Sequence, residues 1–368
     1  MSRRIMAMTA MQTRMFLVSE ANIYRLPFLL LLPRTLALPD AHRAFNRFVE
    51  TTAAARSTFS YTMDGFFHEI ETTGDALYRV GTVEHVDGNP GAILASDLIR
   101  TTPERPLRAV FIHEGDSVYL GLEMHHLTAD GPTLRLLSQF FSGHELPGNS
   151  PDDLADANAQ IRQWEESYHT CQAGADPFVL TGVETGKAGP VARSSSPINE
   201  AAWSRCVSVA RGLKVTPWAL VRSVVEHCLR QHGQGVAYAS VQSWRWRLNR
   251  PSLVGGLPAL VEGRLGEGLV PERAQELFHA EDPRIAASDC LLTKPTVMVS
   301  LETFSIPGCR YVEADTISKC DAHVRVVIDD CGPRVIVEYT LTEKATVVIN
   351  ALSGAIAEGL HNLTSERS

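Results

Sequence analysis

Two adjacent histidines, His125 and His126, followed by Leu127, Thr128, Ala129, Asp130 and Gly131, form the stretch of this sequence best equipped for chemistry. A histidine side chain, with an ordinary pKa of about 6.5, accepts a proton from an amine or hydroxyl at neutral pH when it lies beside the reacting atom. Asp130 is placed to hold the loop by pairing with an arginine elsewhere, and Gly131 permits positive φ or close approach of backbone to ligand. Plainer readings stay open on these residues alone. An inward histidine on a strand is commonly a satisfied core residue, and Asp-Gly is ordinary turn chemistry. A metal site is not expected, because adjacent residues on a strand point to opposite faces and do not readily chelate one ion. No GxSxG elbow, P-loop or GxGxxG strand-turn-helix accompanies the pair.

The flanking pattern says what must position these residues. Arg108 to His113 and Ser117 to Met124 read as paired strands joined by Glu114, Gly115 and Asp116. In the second, Val118, Leu120, Leu122 and Met124 alternate with Tyr119, Gly121 and Glu123, so continuing that register turns the His126 ring inward and His125 to the opposite face. Pro132 falls where a first helical position would, and Leu134, Leu137 and Phe141 continue as an amphipathic helix. Upstream, Phe28 to Leu32 reads as a buried strand, and a helix starting at Asp40 as N-cap carries Phe45, Phe48 and Val49 on one face, ending before Arg56.

The 368 residues predict two domains or one large two-lobed unit. Turn-formers crowd the stretch from Cys171 to Glu200, which places a linker at 171–200 between an N-terminal lobe at 1–170 and a C-terminal lobe at 201–368. The second half again mixes elements: helices over about Ala201–Arg211, from Thr216 as N-cap to His232, and Thr342–Leu360; strands at Val236–Gln242 and Thr296–Glu302; and a hairpin around Asp329–Pro333. Both halves read as antiparallel-leaning α/β layers. Of the tryptophans, Trp218 reads as core, whereas Trp244 and Trp246, interleaved with Arg245 and Arg247, read as a snorkelling surface pair or a substrate-facing one.

Composition narrows the classes. Lys and Arg total 34 against 42 Asp and Glu, a formal charge of −8 that argues against nucleic acid and anionic membrane as partners. Seven scattered cysteines without a CxxC suit a reducing, cytoplasmic setting, and the apolar run between Pro27 and Pro33 is too short to span a bilayer.

At HHLTADG the sequence resembles the HHxxxDG signature of the condensation-domain family of nonribosomal peptide synthesis, within the chloramphenicol-acetyltransferase-like acyltransferases. Weaker likenesses follow in the family's order. Thr9 to Phe16 is similar to [ST]xAQxRxW, and Ala55 to Phe59 to LRTxF with Thr52 at an expected histidine. Gly212 to Trp218 is similar to gvTxxxxL, Val254 to Leu260 to VGxFVNT, and Lys319 to Ala322 to KFDL. Counterparts of HQDxPFE and RNPL are not recognisable between Leu269 and Pro295, where the family's tunnel floor lies, so a reshaped tunnel is expected.

The resemblance implies an α/β fold of two chloramphenicol-acetyltransferase-like lobes in a V-shaped pseudo-dimer around a central tunnel. It implies that His126 is catalytic, that Arg56 is the salt-bridge partner of Asp130, and that Gly131 lies beside the reacting thioester. His125 then packs or hydrogen-bonds on the other side of the strand. The implied activity is transfer of an acyl, aminoacyl or peptidyl group from carrier-protein phosphopantetheine to an amine in natural-product biosynthesis, with the carrier arriving in trans and no tightly bound cofactor. Alternatives are ester formation with a hydroxyl acceptor, an acyl-CoA donor, or a non-catalytic recruitment domain; a monomer is expected.

Overall fold

In the computed structural model, the described residues are 3–18, 24–32, 37–71, 82–96, 100–168, 176–186, 189–279, 296–303, 309–311, 320–329 and 331–363. The chain forms two compact units: Met1–Ser167 with Ser243–Pro258 and Phe304–Asp315, and Tyr168–Gln242 with Ala259–Thr303 and Thr316–Ser368. The expected linear partition is therefore interleaved, since two later segments join the first unit through their contacts.

In the first unit, β2 (Arg25–Leu31), β5 (Thr82–Asp87), β6 (Leu107–Glu114), β7 (Ser117–His125) and β14 (Cys309–Tyr311) form a sheet of order β14-β2-β7-β6-β5. The β6–β7 hairpin closes where expected, with Glu114 opposite Ser117 and Gly115 at φ 58°, a conformation that glycine adopts without Cβ strain. Leu120, Leu122 and Met124 enter the core with Phe28 and Phe111, against Phe45 and Phe48 of α2 (Leu38–Thr51). That helix begins earlier than the sequence suggests: Ala37 occupies the cap without a side-chain bond, and Asp40 sits in the first turn, paired with Arg43. A small sheet of order β1-β4-β3 adds β1 (Arg4–Ala7), β3 (Ser57–Thr62) and β4 (Gly65–Ile70). Helices α1 (Ala10–Leu17), α3 (Pro90–Ala95), α4 (Gly131–Phe141), α5 (Pro151–Tyr168) and the single turn α8 (Arg245–Leu248) complete the unit.

The second unit is built on a mixed sheet of order β12-β11-β13-β15-β16-β9, from β9 (Val191–Pro197), β11 (Ala237–Ser243), β12 (Pro258–Arg264), β13 (Val297–Thr303), β15 (Ala322–Asp329) and β16 (Gly332–Thr340). Strands β11, β13 and β15 run parallel, which departs from the antiparallel leaning expected. One face carries Val299, Val324 and Val337 against α6 (Glu200–Gly212), α7 (Pro217–His232) and α10 (Glu343–His361). Thr216 and Thr342 cap α7 and α10, accepting from Ala219 N–H and Ala345 N–H. A short pair, β8 (Val179–Leu180) with β10 (Gly233–Gln234), and α9 (Val270–His279) lie outside this sheet.

Part of the stretch expected as linker is thus a strand: β9 pairs with β16 along its whole length. The serines read as loop formers instead face α10, where the Ser194 and Ser196 hydroxyls lie 2.9 and 3.0 Å from that of Ser353. Residues 171–175 and 187–188 lie outside the described residues, as does Lys319.

Candidate active site

Strand β7 ends at His125, and both neighbouring strands clamp its end. The His125 N–H donates to Pro106 O at 2.7 Å, and the His126 N–H to Tyr24 O at 2.8 Å. His125 is buried, and its Nδ1 accepts from the Leu127 N–H at 3.2 Å. Burial, reinforced by the neighbouring His126, pulls its pKa down to about 3, so the ring is neutral at pH 7 and its proton sits on Nε2. His125 is therefore buried, neutral and hydrogen-bonded within the fold. At His126 the chain leaves the strand, and the residue is half-buried with its Nδ1 enclosed, whereas Met124 is fully buried.

The loop between His126 and α4 is pinned by Asp130. Its Oδ1 caps α4, accepting from the Thr133 N–H at 3.2 Å and the Thr133 hydroxyl at 2.9 Å. Its Oδ2 binds a guanidinium, and the arginine is Arg245, not Arg56. Arg245 is 5% exposed and spends its donors on the Leu253 carbonyl at 2.8 Å, the Ser243 hydroxyl at 3.1 Å, and the Thr133 hydroxyl and Gly255 carbonyl at 2.9 Å each, besides Asp130. A buried charge pair with every remaining donor occupied is the arrangement that offsets desolvation.

Arg56 does other work. It donates to the carbonyls of Val49 and Glu71 at 3.0 Å each and to that of Glu50, closing the C-terminal turn of α2. Burial lowers its pKa, and the Glu50 carboxylate acts in the other direction. An arginine one turn beyond a helix end is already within reach of that helix's orphan carbonyls, so its nearest partners are backbone.

Sequence reasoning missed Arg245 and Thr133. Asp-Gly-Pro-Thr is a legible cap-and-proline helix start that gives Thr133 its place. Nothing in the spacing links Arg245 to a carboxylate 115 residues away. Trp244, read as exposed or substrate-facing, is buried and lies 5.3 Å from Trp164, with Arg247 over the Trp164 ring at 4.7 Å. The side chain of Trp246 lies outside the described residues; Trp218 packs, partly buried, against the second unit's core.

Gly131 opens α4 in free space, since a Cβ there would meet nothing within 4 Å. The first turn of α4 therefore offers room and a positive helix end close in sequence to His126. A second histidine constellation invites comparison. His68 Nε2 lies 2.7 Å from the Ser57 hydroxyl, and its Nδ1 3.0 Å from Asn158 Nδ2. The Ser57 proton goes to the Ala53 carbonyl at 3.1 Å, so His68 donates to the serine instead of accepting from it. With its pKa driven to about 3 by burial, His68 is a strut and not a base.

Among the described residues no group of three His, Cys, Asp or Glu side chains could hold a metal, and no helix is long and apolar enough to cross a membrane. Cys206, Cys228 and Cys320 are buried free thiols and Cys331 an exposed one.

No family model and no curated protein sequence matches this chain. Solved structures do. The epimerization domain from the third module of tyrocidine synthetase B aligns at TM-score 0.73 and 14% identity over 98% of each chain. The condensation domain from the Monacolin K polyketide synthase aligns at 0.71 and 12% over 98% of each. The first condensation domain of the calcium-dependent antibiotic synthetase, solved with a substrate analogue, aligns at 0.72 and 15%, over 98% of this chain and 97% of that one. The fold of this chain is the one shared by the condensation and epimerization domains of nonribosomal peptide and polyketide synthesis.

Proposed function

We propose that the protein is a condensation-type acyltransferase that moves an acyl, aminoacyl or peptidyl group from a phosphopantetheine thioester, delivered by a carrier protein, to an amine. The observation that carries this reading is the locked loop. A half-buried His126 stands at the end of a clamped strand, and the Asp130–Arg245 pair fixes the chain four residues further on.

A thioester is already activated, so positioning, removal of one proton and stabilisation of an oxyanion suffice. The Nδ1 of His126 is buried, which leaves Nε2 as the nitrogen that meets substrate. The amine nitrogen attacks the thioester carbon, and as the C–N bond forms its proton passes to Nε2. The carbonyl electron pair moves to oxygen, where the positive end of α4 beside Gly131 favours it. Collapse of that oxyanion breaks the C–S bond, and the departing thiolate takes the proton back from the imidazolium. Asp130 does not relay protons, since both its oxygens are engaged by Thr133 and Arg245.

The test is incubation with acyl-loaded carrier proteins and amine acceptors, followed by mass spectrometry of the carrier and the product. We expect acyl loss coupled to amide formation and at least a hundredfold slower turnover for His126→Ala, of the order general-base removal produces. Turnover by His126→Ala at the wild-type rate overturns the reading. Parallel arms with an alcohol acceptor and an acyl-CoA donor define the substrate class.

A further inference from the structure

The segment Ser243–Pro258 carries more than Arg245. It belongs to the first unit, and three fastenings outside the Asp130 network tie it there. The first is Asn149, which is buried in the turn before α5. Its Nδ2 donates to the Ser252 carbonyl at 2.9 Å, and its Oδ1 accepts from the Val254 N–H at 2.6 Å. One side-chain amide therefore pairs with two backbone groups as a neighbouring strand would, and the same Nδ2 lies 3.2 and 3.3 Å from the Leu146 and Pro147 carbonyls. The second is Arg250, which donates to the Asp153 carbonyl at 2.8 Å and pairs with the Asp153 and Asp156 carboxylates at 3.4 and 3.5 Å. The third is the stack of Trp244 and Arg247 on Trp164 of α5.

All three act on a segment whose next residues touch the histidine loop. The Gly255 N–H donates to the Thr133 hydroxyl oxygen at 3.3 Å. At Gly256 a Cβ would stand 2.3 Å from the His126 carbonyl oxygen and 2.5 Å from the carbonyl carbon and oxygen of Leu127. These are backbone atoms, which do not rotate away, so the two segments are in contact at the closest approach their main chains allow.

We propose that Asn149 and Gly256 are positioning residues for His126: the Asn149 clip holds Ser252–Val254, and the bare backbone of Gly256 sets the depth of the His126–Leu127 peptide. The inference rests on the reading of His126 as the acyl-transfer base only where turnover is concerned. A displacement of the histidine loop by the extra methyl of Gly256→Ala, or by release of the clip in Asn149→Ala, lowers kcat about 10–100-fold with KM within about twofold, as misplacement by about 1 Å does.

A readout independent of substrate decides the matter. In protein labelled with [13C]histidine, the imidazole Cε1–H resonance of His126 is assigned by its disappearance in His126→Gln. We expect Gly256→Ala and Asn149→Ala each to move that resonance and its titration midpoint, leaving the resonance of His323 in the second unit unchanged. A folded Gly256→Ala whose His126 resonance and titration match the wild type overturns the inference. Where loss of the His323 signal shows that a variant does not fold, Arg250→Ala serves instead. It frees the outer end of the segment at a half-buried site, and a wild-type His126 signal in it also overturns the inference. A moved resonance with unchanged turnover supports the positioning role and overturns His126 as the base.

Discussion

Two buried arginines, one in each unit, show how the same pairing chemistry serves different ends. Arg245 in the first unit is bound to Asp130, Thr133, Gly255, Leu253 and Ser243, groups lying on three separate stretches of chain. Arg325 in the second unit, on β15, pairs with Glu302 on the adjacent β13 at 2.6 Å and with Glu338 on the adjacent β16 at 2.8 Å. Backbone ladders already hold those strands in register, with Arg325 opposite Ser300 and Ile336. Removing Arg325 therefore leaves the strands where they are. Removing Arg245 takes away what holds two irregular segments together, at the point where His126 is presented.

The largest expected effect follows from that difference. Arg245→Ala leaves the Asp130 carboxylate buried without its counter-charge and should lower unfolding stability by about 3–5 kcal/mol. It should also raise amide exchange at Gly255 and Leu127. Chemical denaturation with hydrogen exchange checks both, and exchange unchanged at these amides would mean that the loop is held without Arg245.

Arg325→Ala should cost less, about 1–3 kcal/mol, because the Glu302 side chain is 19% exposed and water relieves part of the penalty. Its amide exchange along β13 and β16 should stay near wild type. Exchange that spreads along those strands would erase the distinction between the two arginines.

A pH-dependent effect separates two buried carboxylates. Glu165, on α5, accepts from the Ala10 N–H at 2.7 Å, and burial drives its pKa up to about 7 despite that bond. In Glu302 the push from burial is outweighed by Arg325, and the pKa falls below the ordinary value. For Glu165 the folded state binds more protons than the unfolded state between pH 4.5 and about 7. Stability contributed by this group is therefore full below the unfolded pKa and lost as pH rises through that window, by at most about 1.4 kcal/mol per pH unit. Glu165→Gln, which keeps an acceptor for Ala10, should flatten that slope in urea denaturation measured from pH 5 to 8. A slope identical to the wild type would show that Glu165 stays ionised throughout.

Legibility in the sequence followed locality. Thr216 as cap, the β6–β7 turn and α10 stand where the sequence places them, because capping, alternation and glycine turns are decided within a few residues. The boundary of α2 slipped because Asp40 has the side chain of a cap but sits inside the first turn. The Ser-rich β9 was illegible because its serines are satisfied by Ser353, far along the chain. The same holds for the site. His125, His126, Asp130 and Gly131 announce themselves as one short motif, whereas the partner of Asp130 was assigned to Arg56 and belongs to Arg245.

By itself the sequence determined the chemistry on offer: a histidine at a strand end, a carboxylate and a glycine at the following helix start, and a patterned α/β body around them. Only the tertiary structure decided which arginine locks the carboxylate, that His126 is half-buried beyond the strand end while His125 is buried, and that Gly256 lies against the histidine loop. The physical reason is range. Helix caps, turns and strand alternation are settled by neighbours in sequence, whereas a buried ion pair and a backbone contact depend on which distant segments the packed core brings within about 3 Å of each other.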